Sequence, residues 1–441
     1  MTADFSAGAL AEALEAYRRN SPRTDLALDG WRFELNQAHS VGMGLKDNKL
    51  GGPYASPAFR RQTSGEIYLI WADGRRSVSR IDSKVLANLP ERMEVWRSAS
   101  YTEEVGAEIL PPAELPKVRL FDGRLAEVVD KDNPYLFAIL DRIRKELPAY
   151  GVEFVDAEAS AMRIQRSVFN SRGISVEYEH TLFSFYASAD HTYSESFHER
   201  RLPLEEELTA LIEEVGKTTA QLKNPGSLAS GPMPVLLSSR VVESMVDRYL
   251  VHSLAGHNVV NGQAAYRLDD FLAREQTMRP DLSLTLDVTK DLRPGSYRCT
   301  REGVPAGRLP LIKDGRLQTP LLDVKYARKA GLAPTPLLSD LSSLELNLGE
   351  TASVAELVKE LPRGLVVYSV LGLHTQDAAS GNYSLTAGQA LAVENGKITG
   401  KVKAVIAGNF LEDLRDPRTK TGLEPGKDFP ALLVQSAVTV E

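Results

Sequence analysis

The chain has 441 residues, 25% of them charged and 43% apolar, which is the composition of a packed globular protein and sets aside disordered and fibrous classes. That length exceeds one ordinary core, so two domains, or three, are expected. A net charge of −7 supplies no broad positive field for a phosphate backbone, which argues against nucleic acid as a direct partner, and the single cysteine, Cys299, excludes a disulfide framework or a Cys-rich zinc centre.

In chain order, the opening MTADFSAGALAEALEAYRRN has Asp4 where a secretory leader needs basic residues, and its apolar positions are spaced as in a helix. No apolar run reaches the length of a membrane span, so a cytoplasmic protein with no membrane partner is expected. EIYLIWADGRRSVSR places Asp73-Gly74 between two strand-like runs, and SVFNSRGISVEYEHTLFSFYAS places Gly173 similarly, which predicts antiparallel hairpins. From Leu204 to Lys223 the spacing predicts a helix: Pro203 suits its start, Glu205, Glu206 and Glu207 favour the positive end of its dipole, and Leu208, Leu211, Ile212 and Val215 form one stripe. KNPGSLASGPMP then reads as a linker over 223–234, between an α+β domain over 1–222 and a β-rich domain over 235–441.

The second half repeats the hairpin pattern, turning at Asp314-Gly315 and at Asn395-Gly396. Between these turns, Ser353 and Glu356 form a capping box, Pro362 and Gly364 end the helix, and a β-branched strand follows. No solenoid repeat is present, and the fold class is α+β with mostly antiparallel strands.

The residues able to carry chemistry are few. In YLVHSLAGHNVV, His252 and His257 are five residues apart, so on a regular helix they point about 140° from one another unless a π-bulge widens it. His198 and Glu199 form a His-Glu pair with no second histidine a turn later, and the basic residues beside them read as a solvated strand end. His180 and His191 could face each other across strands, with no third ligand at a recognisable spacing. The glycine segments at Gly44 and Gly372 lack the strand and helix context of a phosphate cradle, so no nucleotide is expected. There is no Gly-x-Ser-x-Gly elbow, and Cys299 reads as a small buried hydrophobe.

Three blocks in the second half, MPVLLSSRVVESMVDRYLVHSLAG, REGVPAGRLPLIKDGRLQTPLLDVKYARKAGL and GLHTQDAASGNYSLTAGQALAVENGKITGKVKAVIAGNFLEDL, together with VGMGLKDNKLGG near the start, resemble the TldD/PmbA family. Its PmbA branch is also called TldE, and an older label is modulator of DNA gyrase. The resemblance implies a two-domain cytoplasmic protein. It further implies that TldD is a zinc peptidase acting on peptides and unfolded segments, with TldE its non-metal partner in a heterodimer. TldD-type members carry His-Glu-x-x-x-His on a helix and a later cysteine, because two imidazoles and a thiolate fill three positions on the ion while the Glu takes a proton from the bound water.

This chain fits that motif in two registers. Counting from the strand VLLSS lays Asp247, Arg248 and His252 on His, Glu and His, and places Gly256 on a glycine shared by both branches; the other register uses His252 and His257, with Ser253 for the Glu. The first is favoured, and both lose the glutamate. The stretch TKTGLEPGKDFPALLV, where the family has its cysteine, has none. No catalytic residue, metal or cofactor is therefore expected, and Asp247, Arg248, His252 and His257 are remnant motif positions. The segment HTQDAASGNYSLTAGQALAVENG resembles the family's cleft lining, which makes Gly372, His374, Ser380, Gly381 and Tyr383 peptide-cleft candidates. The expected function is that of a non-catalytic PmbA/TldE-like subunit of a metallopeptidase complex, binding peptide or unfolded protein segments beside a TldD-like zinc peptidase subunit and forming a homodimer in isolation. The alternatives are a stand-alone peptide-binding or scaffolding homodimer, and a divergent metallopeptidase using His252, His257 and Asp247.

Overall fold

The computed structural model describes residues 6–20, 27–50, 58–103, 105, 108–131, 134–349 and 351–441, so the first residues of the opening stretch and the end of VGMGLKDNKLGG lie outside the described residues. The fold is α+β, as expected. A seven-stranded antiparallel sheet runs β4-β3-β1-β5-β6-β7. Its strands are β1 (Leu28–Lys46), β2 (Lys49–Leu50, paired to β1), β3 (Ala58–Trp71), β4 (Arg76–Ile81), β5 (Val155–Asn170), β6 (Ser175–Ala189) and β7 (Tyr193–Glu199). In β1 the odd positions Trp31, Phe33, Leu35, Val41 and Leu45 are all buried, since alternate side chains share a face. Helices α1 (Ala7–Asn20) and α2 (Leu89–Ser98) cover one end of that face, and α3 (Gly123–Asp130) and α4 (Tyr135–Glu146) the other. The rings of Trp31, Phe33 and Phe169 stack in a row with centroids 5.8 and 5.5 Å apart.

The predicted hairpins turn where the sequence places them. Asp314-Gly315 and Asn395-Gly396 have positive φ at both positions, 51° and 73° and 49° and 72°, the backbone that a tight two-residue hairpin demands.

Helix α5 (Glu205–Lys223) follows an extended Leu204, whose N–H donates to the Glu207 carboxylate at 2.7 Å. Its buried stripe of Leu208, Leu211, Ile212 and Val215 packs in one cluster with Phe183 and Phe185 of β6 and with Val366, Leu391, Val393 and Leu433 from the second half. One core thus joins both halves. The connection from α5 is pinned by backbone bonds from Gly226 N to Lys401 O (2.8 Å) and from Lys401 N to Asn224 O (2.7 Å). Part of the expected linker is strand: β8 (Gly231–Leu237) already pairs antiparallel with β18 (Ala431–Val440) from Gly231 on. Pro232 and Pro234 are tolerated because β14 (Arg363–Leu371) reaches only Val235–Leu237 on the other edge.

In the second half, β9 (Leu282–Asp287), β10 (Arg308–Lys313), β11 (Arg316–Leu317) and β12 (Leu344–Leu348) make a four-stranded sheet. The last sheet closes on itself. Around it run β8, β14, β15 (Asn382–Glu394), β16 (Lys397–Asn409) and β18, with β18 pairing back to β8; β17 (Lys420–Leu423) and β13 (Thr351–Ser353) extend it. Val235, Leu237, Leu365, Val367, Leu385, Ala404, Ile406 and Val434 fill the main core there.

Within this core the Tyr383 hydroxyl lies 3.1 Å from Asp413 Oδ2 and 2.8 Å from Ser436 Oγ. Burial pushes the Asp413 carboxyl up from 3.8 to about 7, with Asp416 and Glu412 adding to it. A folded-state value above the unfolded one gives stabilisation that is complete below about pH 4 and is lost as pH rises through about 7. Replacing Asp413 by Asn removes that titration. The stability of wild type relative to Asp413→Asn should fall by on the order of 2 kcal/mol between about pH 5 and about pH 8, read from urea midpoints; an unchanged difference would place the titration elsewhere.

Candidate functional site

Strand β8 leads directly into a central helix over 239–254, and Ser238 N donates to Val367 O at 3.0 Å as the chain leaves the barrel. Val241, Val242, Met245, Val246, Tyr249, Leu250 and Leu254 are all buried and seat the helix on the core. Its middle turn, Val246–Val251, is a π-helix, and Ala255 (ψ 123°) ends it before a separate short helix, Gly256–Val260. Tyr249 is fully buried, its hydroxyl donates to Asn382 O at 3.0 Å, and its ring stands 5.9 Å from that of Phe410.

This break separates the two histidines in spite of the π-turn. His252 sits on the central helix with Nε2 3.0 Å from Gln263 O and Nδ1 3.1 Å from Asn258 Nδ2. His257 is exposed on the next helix, its ring 6.0 Å from Tyr326. They do not converge. Gly256 allows the break: its N–H donates to Leu321 O at 2.7 Å, and a Cβ there would stand 2.4 Å from that oxygen.

The central helix presents two polar flanks. On one, the half-buried Arg248 donates through Nη2 to the backbone carbonyl of Gln376. Gln376 in turn binds Gly372 O (3.2 Å) through Nε2 and Ser384 N (3.2 Å) through Oε1, so this residue, absent from the sequence reading, ties the 372–384 loop to the helix. Gly372 turns the chain at φ 90° and His374 is exposed beside it. Ser380 Oγ donates to Asp377 O (3.1 Å) and accepts from Asn382 N (3.2 Å). Gly381, at φ 75°, lies where a Cβ would meet Asn409 Oδ1 and Leu411 Cγ at 2.8 Å, so packing explains the glycine. Tyr383 departs from the expectation: at 3% exposure it is a core residue, since its parity on β15 points inward with Leu385 and Ala387.

On the other flank lies a cleft of about 580 Å³ between Glu243, Asp247, Val251 and His257 on one side and Asp323, Tyr326 and 337–341 on the other. Burial raises the Glu243 carboxyl to about 6, with Asp428 and Asp340 adding to it, and raises Asp247 and Asp323 as well. Only Asp247 and His257 of this set carried a sequence signal, that of the motif. Glu243 could have been found one helical turn before Asp247, whereas Asp323 and Asp340 come from distant loops.

The remaining candidates separate as well. The strand end is solvated only in part: His198 is exposed, with Nδ1 2.7 Å from Ser184 Oγ, but Arg200 is buried and donates to Arg293 O (2.9 Å), Pro294 O (2.8 Å) and Ser296 O (2.8 Å). The cause is docking of 293–296 against β7. His180 faces Arg200 and is held neutral by burial, at about 2. His191 instead lies 3.2 Å from Asp156 and 3.6 Å from Asp47, and these three are the one His/Cys/Asp/Glu group at ligand spacing among the described residues. Cys299 is buried, and burial pushes its thiol up to about 11.

Residues 230–436 match the family described as the PmbA/TldA metallopeptidase C-terminal domain. That stretch, just under half of the chain, is therefore similar to a PmbA/TldD-family domain. Among relatives, the metalloprotease PmbA of Escherichia coli O157:H7 is 31% identical over 205 residues, covering 45% of this chain and 43% of that protein. A metalloprotease of Synechocystis sp. is 28% identical over 189 residues, covering 40% of each. The chain spans about half the length of the curated relatives it matches. Among solved structures, TldE from Thermococcus kodakarensis superposes with a TM-score of 0.79 at 17% identity, covering 98% of this chain and 99% of that one. A candidate modulator of a DNA gyrase from Thermotoga maritima gives 0.73 at 22% identity, covering 93% and 96%. These are likenesses of fold. No helix among the described residues is long and apolar enough to cross a membrane.

The close approach at Gly256 can be measured. Gly256→Ala must displace the Leu321 backbone or abandon the bond to it, so it should cost about 1–3 kcal/mol in a denaturant titration. Gly123→Ala, at a helical position where an added Cβ meets nothing within 4 Å, should be neutral or slightly stabilising. Equal effects of the two would contradict this account.

Proposed function

We propose that the chain is a non-catalytic, TldE-like subunit that grips peptide or unfolded segments for a TldD-like zinc peptidase in the cytoplasm. The observation that carries the reading is the donor set of the central helix. Catalytic zinc needs three protein ligands converging at about 2.0–2.3 Å with a water in the fourth place. Here both ring nitrogens of His252 already have partners, His257 stands on another element, and Arg248 brings a cation where the favoured register expects the glutamate. These residues do not fit the ion, so no hydrolytic step is assigned to them, which disfavours the divergent metallopeptidase.

Peptide gripping draws support from the barrel edge. β15 is flanked by β14 and β16 and has no free side. β14 does have one: its pairing with β8 ends at Val367, leaving 368–371 without a strand partner on that side among the described residues. An extended peptide can add there by backbone bonding, with little demand on its side chains.

Purified alone, the chain should carry far less than one zinc per molecule by elemental analysis and should leave unfolded peptides uncleaved. It should co-purify with a TldD-like chain when the two are co-expressed. Zinc at one per chain, bound through His252, would sink the proposal. Without that partner it should run as a homodimer in light scattering, with more than about 1,000 Å² buried in total; a strict monomer that also fails to capture a TldD-like chain would leave an isolated binding module.

A further inference from the structure

The cleft on the Asp247 flank carries a charge imbalance that peptide gripping in general does not require. Its lining contributes four carboxylates, Glu243, Asp247, Asp323 and Asp340, and neither a lysine nor an arginine. Asp323 and Asp340 each use one oxygen to accept a backbone N–H, from Tyr326 (2.8 Å) and Ser342 (2.9 Å). The side chains of Glu243 and Asp247 form no hydrogen bond or salt bridge among the described residues. The cations nearby act on these carboxylates from a distance, their own bonds going elsewhere: Arg240, Arg248 and Arg200 to backbone carbonyls, Lys427 to Glu195 and Glu214, Arg32 to Glu302, Arg301 to Glu66 and Lys325 to Glu103. Lys329 approaches from the Tyr326 side, 5.6 Å from the ring centroid. Burial favours the neutral acids at Glu243, Asp247 and Asp323, as expected of carboxylates short of positive charge.

The spacing selects among cations. No three of these carboxylates lie at ligand distance from one another, so a compact divalent ion is poorly served. A long side chain with an aliphatic stem and a charged head fits better: the stem can lie on Val251, Leu337 and Leu338, and the head can reach the carboxylates with the Tyr326 ring beside it. We propose that this cleft seats a lysine or arginine side chain of the bound segment, so that the protein selects cationic peptides over neutral and acidic ones. The proposal rests on the peptide-gripping reading and adds the substrate class.

Fluorescence anisotropy with the full chain tests it, using three disordered peptides of equal length that differ only in carrying lysine, glutamine or glutamate at the same positions. The lysine peptide should bind about fivefold or more tighter than the glutamine peptide, and the glutamate peptide weakest. The double variant Glu243→Gln, Asp340→Asn should erase the preference for lysine over glutamine, whereas Glu213→Gln on α5, outside the cleft, should keep it. Should the double variant fail to fold, Asp247→Asn alone, at a side chain with no hydrogen bond to lose, should reduce the preference. Equal affinities for lysine and glutamine peptides, or a preference that survives the cleft substitutions, would overturn the proposal and leave peptide gripping intact. Binding of none of the three peptides would overturn both.

Discussion

Everything at the site depends on the double pairing of β8. This strand lies parallel to β14 on one edge and antiparallel to β18 on the other, and those two ladders close the barrel. A closed sheet fixes its members in three dimensions, because each strand is held on both sides over its paired length. The central helix leaves β8 within one residue, so its position is inherited from the barrel through the bond from Ser238 N to Val367 O. The loop that faces it, 372–384, runs from β14 to β15 and is set by the same closure. The contact between Arg248 and Gln376 is thus a consequence of strand register, not of any affinity between two mobile segments.

How much of this could be read in the sequence varies with the range of the interaction. Turns, caps and helix stripes are local, and they were legible: Asn395-Gly396, the Ser353–Glu356 box and the stripe of α5 each depend on residues within a few positions. What α5 packs against was not, since its partners lie on β6 and on strands more than a hundred residues later. The linker shows the same limit. Proline and glycine do mark a boundary, but only the pairing of Gly231 with Val438 reveals that the strand has already begun.

The site follows the same division. Asp247, Arg248, His252 and His257 were visible as a spacing, yet the separation of the two histidines depends on Ala255 and on the carbonyl of Leu321, which the spacing could not supply. Glu243 could have been paired with Asp247 by helical periodicity alone. Asp323, Tyr326 and Asp340 could not, because the fold brings in the helix start that carries the first two and the separate turn that carries the third. Tyr383 failed for a different reason: a loop-like neighbourhood suggested exposure, and strand parity buried it.

The central helix also shows how the residues on its flanks can vary without moving it. Its apolar stripe, from Val241 through Tyr249 to Leu254, contributes the burial that seats it, at roughly 1.5–3 kcal/mol for each fully buried large side chain. The motif positions project from the flanks and add little to that total. Substitutions there are therefore constrained by the solvent, loop or ligand they face and not by the core. On one flank an arginine finds a backbone carbonyl; on the other, carboxylates gather without enough counter-charge. In the proposed function, backbone pairing would hold any extended sequence, and the charged cleft would make that grip discriminate.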